Sequence, residues 1–164
     1  LIALVRLEAG HLPIEVERVG LRALVHECWA PYAAVADGRA IRFRNAVPDE
    51  QVVETDREKL RVVVANLLAN AAEYTEVGGW IEVQGIAGGV LEVIDSGPRI
   101  PDEQVGRLFD RLWRGDVARA GTGAHCGIGL ALARALCVHL SLSLTVASEP
   151  GRVAFRIARS APKA

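Results

Sequence analysis

The sequence has little that would mark it for a membrane, a nucleic acid or an oxidising compartment. No apolar run approaches the roughly 18–20 residues needed to cross a bilayer. The opening, from Leu1 to Gly10, carries neither a basic leader nor a cleavage signal. Charge of one sign is also missing: the formal net charge is −1, with acidic and basic residues mixed along the chain, so there is no electrostatic footprint for nucleic acid or an anionic lipid surface. Neither partner is expected. Cysteine is scarce, and Cys28, Cys126 and Cys137 have no C-x-x-C spacing, which excludes a disulfide framework and a zinc site and fits a reducing cytoplasm. None of the histidines has a partner at metal-ligand spacing. An initiating Met is absent as well, so the chain is expected to be a piece of a longer protein, whose parent could be anchored in the inner membrane.

What is present suits one globular domain. The 164 residues are enough for a real core, and 51% hydrophobic against 24% charged residues excludes a disordered or purely charged chain. The opening through Leu7 and Glu8 reads as the tail of an upstream helix stopped by Gly10 and Pro13. Ile14, Val16 and Val19 suggest a strand. Leu21, Leu24, Val25, Cys28 and Trp29 then recur at helical spacing, and the pattern predicts one helix running toward Ala36. Ile41 with Phe43, and Val52 with Val53, are short extended candidates.

The strongest helix starts at Asp56, a good N-cap, and runs from Arg57 to about Glu73, with Leu60, Val63, Val64, Leu67, Leu68 and Ala71 on one face. Trp80–Ile86 and Val90–Ile94 predict a hairpin around Gly88-Gly89. The stretch from Asp95 to Cys126 is rich in Gly, Asp and Arg and reads as a long loop, with a short helix near Gln104 to Leu108. A helix from Ile128 to Leu140 and two strands around Pro150-Gly151 close the chain. Without strict βαβ alternation, these elements predict a two-layer α/β sandwich: a mixed, largely antiparallel sheet covered on one face by helices.

Three features bear on chemistry. Asn66 and Asn70, four residues apart on the best helix, present two amides on one side, with Glu73 extending the stripe. Neutral amide oxygens suit a hard cation such as Mg²⁺ when phosphates supply the negative ligands, although solvated amides would read the same way. Asp95 at a strand end can accept a hydrogen bond from an amino group such as that of adenine, and Gly97 admits a flat ring to the backbone. Asp-x-Gly alone is more often a turn. Gly121, Gly123, Gly127 and Gly129 lead into the helix near Ile128, where backbone N–H groups could meet phosphates. The loop lacks a Walker lysine and does not follow the first strand as Rossmann glycines do.

Taken in order, the motifs resemble the catalytic ATP-binding domain of sensor histidine kinases. Asn66-Leu67-Leu68-Ala69-Asn70-Ala71-Ala72-Glu73-Tyr74-Thr75, led by Asp56-x-x-Lys59-Leu60, resembles the asparagine box. Val93-Ile94-Asp95-Ser96-Gly97-Pro98-Arg99-Ile100-Pro101 is similar to the first glycine box, Leu108-Phe109-Asp110-Arg111-Leu112-Trp113-Arg114 to the phenylalanine box, and Cys126-Gly127-Ile128-Gly129-Leu130-Ala131-Leu132 to the second glycine box. The likeness covers essentially the whole chain. It implies residues 1–10 as the end of a dimerisation helix and linker, 11–160 as the ATP-binding domain and 161–164 as a tail, in the Bergerat-type fold shared with gyrase, Hsp90 and MutL.

Residue by residue, the resemblance implies that Asn70 ligates Mg²⁺ and that Asn66 lies near the phosphates of ATP. It implies that Tyr74 packs on the adenine, Asp95 receives its amino group, and Gly97 and Ile100 shape its pocket. Gly127 and Gly129, with Leu130 beside them, would hold the phosphate-side loop, and Phe109 and Arg111 would belong to a mobile lid. The function so implied is donation of the ATP γ-phosphoryl group to a histidine on dimerisation helices that this chain lacks. Those helices and a response-regulator receiver domain would be its partners, and the piece alone would be monomeric. His26-Glu27 superficially fits an acceptor but sits inside the domain. Three departures from the family pattern stand out: Glu73 where a cation is frequent, Arg99 in place of the last glycine of Asp-x-Gly-x-Gly, and Ala124-His125-Cys126 where Gly-Gly-x is common. A degenerate nucleotide-binding or regulatory domain, and another ATPase of the same fold, are the alternatives.

Overall fold

The protein is described from a computed structural model, which covers residues 13–110 and 128–160. Strand β1 (Val16–Gly20) pairs antiparallel with β3 (Val52–Asp56) as a two-stranded ribbon, with Val16 opposite Asp56 and Gly20 opposite Val52. Among the described residues the main sheet has five strands in the order β2 (Arg42–Ala46), β4 (Trp80–Gly85), β5 (Leu91–Asp95), β7 (Arg152–Arg159), β6 (Leu142–Glu149). Only β2 and β4 run parallel; the other neighbours are antiparallel, so the sheet is mixed as the sequence predicts.

Alternation sets the two faces. Ile81 and Val83 on β4, Leu91 and Val93 on β5, Val153, Phe155 and Ile157 on β7, and Leu142 and Leu144 on β6 form the buried row. Against it packs α3 (Arg57–Tyr74), whose Leu60, Val63, Val64, Leu67 and Leu68 are fully buried. Helix α1 (Leu21–Trp29) packs beside α3, as does α5 (Gly129–His139), which also contacts β6. The opposite sheet face carries charged groups beside the buried pair Ile94 and Ala154. There Glu92 accepts from Gln84 at 2.8 Å and Arg156 at 3.2 Å, with Arg152 at 3.5 Å, so its buried charge is matched.

Asp56 caps α3 as the sequence predicts: its Oδ1 accepts from Lys59 N at 2.9 Å. Its Oδ2 accepts from Glu15 N at 3.0 Å and Lys59 Nζ at 2.5 Å, and Lys59 also donates to Pro13 O, which fastens the incoming segment to the helix. Burial pushes the Asp56 carboxyl up, but the Lys59 ammonium and the two N–H donors outweigh it and hold its pKa at about 2.

The single helix expected toward Ala36 is broken. It ends as α1 at Trp29, passes through a 3₁₀ turn, Ala30–Tyr32, and resumes as α2 (Ala33–Gly38). Pro31 is the cause, because it has no N–H to donate and its ring crowds the carbonyl four residues back. The break lets Trp29 stack on Phe43 of β2, with centroids 4.0 Å apart. The short helix expected near Gln104 to Leu108 lies slightly earlier, as α4 (Asp102–Val105). The two cysteines among the described residues, Cys28 and Cys137, are free and buried. No helix among the described residues is long and apolar enough to cross a membrane.

Candidate nucleotide-binding site

Asp95 is the centre of the site. It ends the core-facing row Leu91, Val93, Asp95, so the pleat that buries two apolar side chains buries this carboxylate as well, leaving it 2% exposed. Its Oδ1 accepts from Gly97 N at 2.8 Å, and no further hydrogen bond to the carboxylate comes from the described residues. Burial pushes its pKa up to about 6, against the lowering effect of the Gly97 N–H. A buried carboxylate with spare lone pairs is an acceptor awaiting a donor.

Gly97 has no room for a side chain: a Cβ there would stand 2.6 Å from Asp95 Oδ1 and 3.3 Å from Tyr74 O. The Asp95–Gly97 turn therefore lies against the last residue of α3. Ile100 follows, its N–H donating to Ser148 Oγ of β6 at 2.8 Å, so the far end of the turn is pinned to the sheet. Ser148 was not foreseen, since nothing in the sequence pairs positions 48 apart.

Asn66 and Asn70 are half-buried on α3, as their spacing predicts. The Asn66 amide nitrogen donates to Val62 O at 2.7 Å, and a Cβ on Gly129 would stand 2.5 Å from Asn66 Oδ1. Thus Gly129 brings the first turn of α5 onto the amide stripe, and Leu130 follows it, half-buried. Asn70 makes no hydrogen bond through its side chain to another described residue, which leaves its amide oxygen available. Among the described residues no cluster of three His, Cys, Asp or Glu could hold a metal. Neutral amides without a carboxylate cage suit an ion that arrives with its own phosphate ligands, so the donor set fits Mg²⁺.

Phe109 lies under the Arg134 guanidinium of α5, 5.1 Å from ring centroid to Cζ, a cation–π contact that ties Phe109 to this helix. Arg111 and Gly127 fall outside the described residues, as do residues 1–10, so their expected roles rest on the sequence alone. Arg99 does not take a left-handed backbone, and its guanidinium holds both oxygens of Asp102, at 2.9 and 3.1 Å.

Comparison with known proteins supplies the family. The family described as "Histidine kinase-, DNA gyrase B-, and HSP90-like ATPase" matches residues 55–160, which include Asn66, Asn70, Asp95, Gly97 and Gly129. The chain belongs to this ATPase family. Within it, the chain is similar to the swarming motility regulation sensor protein RssA of Serratia marcescens, 33% identical over 89% of this chain and 31% of RssA. It is similar to the probable sensor histidine kinase TcrY of Mycobacterium tuberculosis, 33% identical over 96% of this chain and 33% of TcrY. The chain thus spans about a third of the length of these curated relatives. The fold matches the catalytic domain of histidine kinase ThkA with a TM-score of 0.75 at 23% identity, covering 87% of this chain and 93% of that one. ThkA is also known in complex with the response regulator protein TrrA. The two-layer ATPase fold and the resemblance to sensor histidine kinases both hold.

Proposed function

We propose that the chain binds ATP with Mg²⁺ in the cleft between α3, the Asp95–Gly97 turn and the start of α5, and serves as the phosphoryl-donating module of a sensor histidine kinase. The observation that carries this reading is Asp95: a buried carboxylate with acceptor capacity to spare, one short turn from Tyr74, in a chain of an ATPase family.

In this reading Asp95 accepts the exocyclic amino group of adenine, and Gly97 and Ile100 give the ring a close, apolar approach. Tyr74 covers the base from the end of α3. One turn back, Asn70 offers its amide oxygen to Mg²⁺, which when bound screens the negative charge of the phosphates. Asn66, set against Gly129, lines the phosphate side, where the first N–H groups of α5 are free of intrahelical partners. The protein's contribution to phosphoryl transfer is then mainly position and charge. Phe109, held by Arg134, would carry the lid containing Arg111, with Gly127 at its far end. Glu73, in the last turn of α3, marks where the phosphate-side cation frequent in the family is replaced.

The acceptor histidine is supplied by dimerisation helices and the phosphoryl group passes on to a response-regulator receiver domain, in a cytoplasmic setting. The domain assignment goes with it: residues 1–10 as the end of a dimerisation helix and linker, 11–160 as donor domain, 161–164 as tail, with the piece alone monomeric. Supplying a dimerisation segment that carries an acceptor histidine and following label from γ-labelled ATP tests this. Acid-labile label on the segment is expected, with none when Asn70 is replaced by Ala. ATP binding without transfer would leave a regulatory nucleotide-binding domain, and steady ATP hydrolysis without an acceptor would favour a different ATPase.

A further inference from the structure

The C-terminal end of α3 lacks the usual ways of stopping a helix. Its cap, Thr75, is extended at φ −67 and ψ 129 rather than left-handed, its last turn contains no basic residue, and Glu73 places an acid where the helix dipole is negative. The last carbonyls therefore need donors from elsewhere. Ala71 O receives Thr75 N at 2.9 Å.

Arg39, directly after α2, supplies donors to two more of them. Its guanidinium donates through one nitrogen to Ala72 O at 2.5 Å and through the other to Thr75 O. Its own carbonyl accepts Gly78 N at 2.9 Å, so the segment 72–78 is tied to this residue from two sides. Beyond it Gly79 packs on the Thr75 methyl and Ser96 Oγ, and Ser96 accepts Trp80 N at 2.8 Å. This chain of contacts ends at the Asp95–Gly97 turn, which rests on Tyr74 O.

We propose that Arg39 is a positioning residue for the adenine side of the site, acting through Tyr74 and the Asp95–Gly97 turn while touching neither nucleotide nor metal. The proposal rests on the ATP-binding reading above. A planar guanidinium bridging two carbonyls fixes both the position and the direction of the helix end, which a single-point ammonium cannot do. Asn70 lies a turn further inside α3, where the helix's own ladder holds it, so Arg39 bears on the base and not on the metal.

The test uses the whole chain with Arg39→Gln and Arg39→Lys, each checked for a cooperative melt. Titrations with Mg-ATP and Mg-GTP, and with ATP after Mg²⁺ removal, are combined with amide hydrogen exchange of the nucleotide-free protein. Losing hydrogen bonds from a charged donor predicts a fall in ATP affinity of roughly tenfold for Arg39→Gln. The preference for ATP over GTP should fall by the same factor while the Mg²⁺ dependence is unchanged. Thr75 and Gly78 should exchange faster, and Arg39→Lys should recover only part of each effect. A merely structural role would lower ATP and GTP affinity together and leave the preference intact, which overturns the proposal. So does a folded Arg39→Gln with unchanged ATP affinity, or full recovery by Arg39→Lys. Failure of the wild-type chain to bind ATP overturns the nucleotide reading itself, and the role of Arg39 with it.

Discussion

Replacing Asp95 by Asn separates the cost of the site from its use. The variant keeps the shape and still accepts from Gly97 N, but it removes a charge that folding has to desolvate. A carboxyl whose pKa stands at about 6 instead of 3.8 binds its proton more tightly in the folded than in the unfolded chain. Its presence therefore lowers stability as pH rises through that window, and the loss is complete above it. At about 1.4 kcal/mol per pKa unit, the ionised Asp95 costs up to about 3 kcal/mol at pH 8. Asp95→Asn should recover part of this, because its amide NH₂ also has to be buried. Urea denaturation of the ligand-free protein should show the variant more stable at pH 8 and the advantage gone near pH 3. Nucleotide binding should move the other way: adenine's amino group loses a charged acceptor, worth about 1.5–3 kcal/mol, or about ten- to a hundredfold in ATP affinity. Preference over GTP should collapse with it. A variant less stable than wild type at pH 8, or one that keeps the ATP preference, refutes the idea that Asp95 is a strained acceptor held for adenine.

Further outcomes follow from the same geometry. Asn70→Ala should bind ATP with little dependence on Mg²⁺, as calorimetric titration with and without chelator would show; an unchanged metal dependence removes Asn70 from the site. Asp56→Ala should destabilise the fold by about 2 kcal/mol, the upper range for a lost N-cap. Because the Asp56 pKa is lowered to about 2, the stabilisation it gives is present above pH 3.8 and lost as pH falls toward 2, so acid titration of wild type and variant should converge there. Gly129→Val should keep the fold but displace Asn66 Oδ1, weakening ATP binding without changing the ATP-to-GTP ratio. The chain alone should incorporate no acid-labile phosphate from ATP, since the Glu27 beside exposed His26 is already held by Arg57.

Local signals made the frame of this fold legible, and tertiary ones did not. The α3 stripe and its Asp56 cap could be read because periodicity and capping are written within a few turns, and the β4–β5 hairpin because Gly88-Gly89 punctuates it. Asp95 could be named as an acceptor from its strand-end position, but not its depth of burial, which depends on β5 being the central strand. The α1–α2 break was written in Pro31 and overridden by the apolar spacing on either side of it. Pairing of β1 with β3 across some 36 residues, the Ser148 anchor of Ile100 and the Arg39 grip on α3 join distant positions that no local pattern connects. Arg99 shows the converse: read against the family pattern it looked misplaced, yet its backbone needs no positive φ, and Asp102 three residues on accounts for its charge.

The measurement that bears most directly on the whole account is calorimetric titration of the purified chain with ATP in the presence and absence of Mg²⁺. Saturable binding of one ATP per chain, strengthened by Mg²⁺ and outcompeting GTP, is the predicted result. Absence of saturable binding, or equal binding of ATP and GTP, would contradict it.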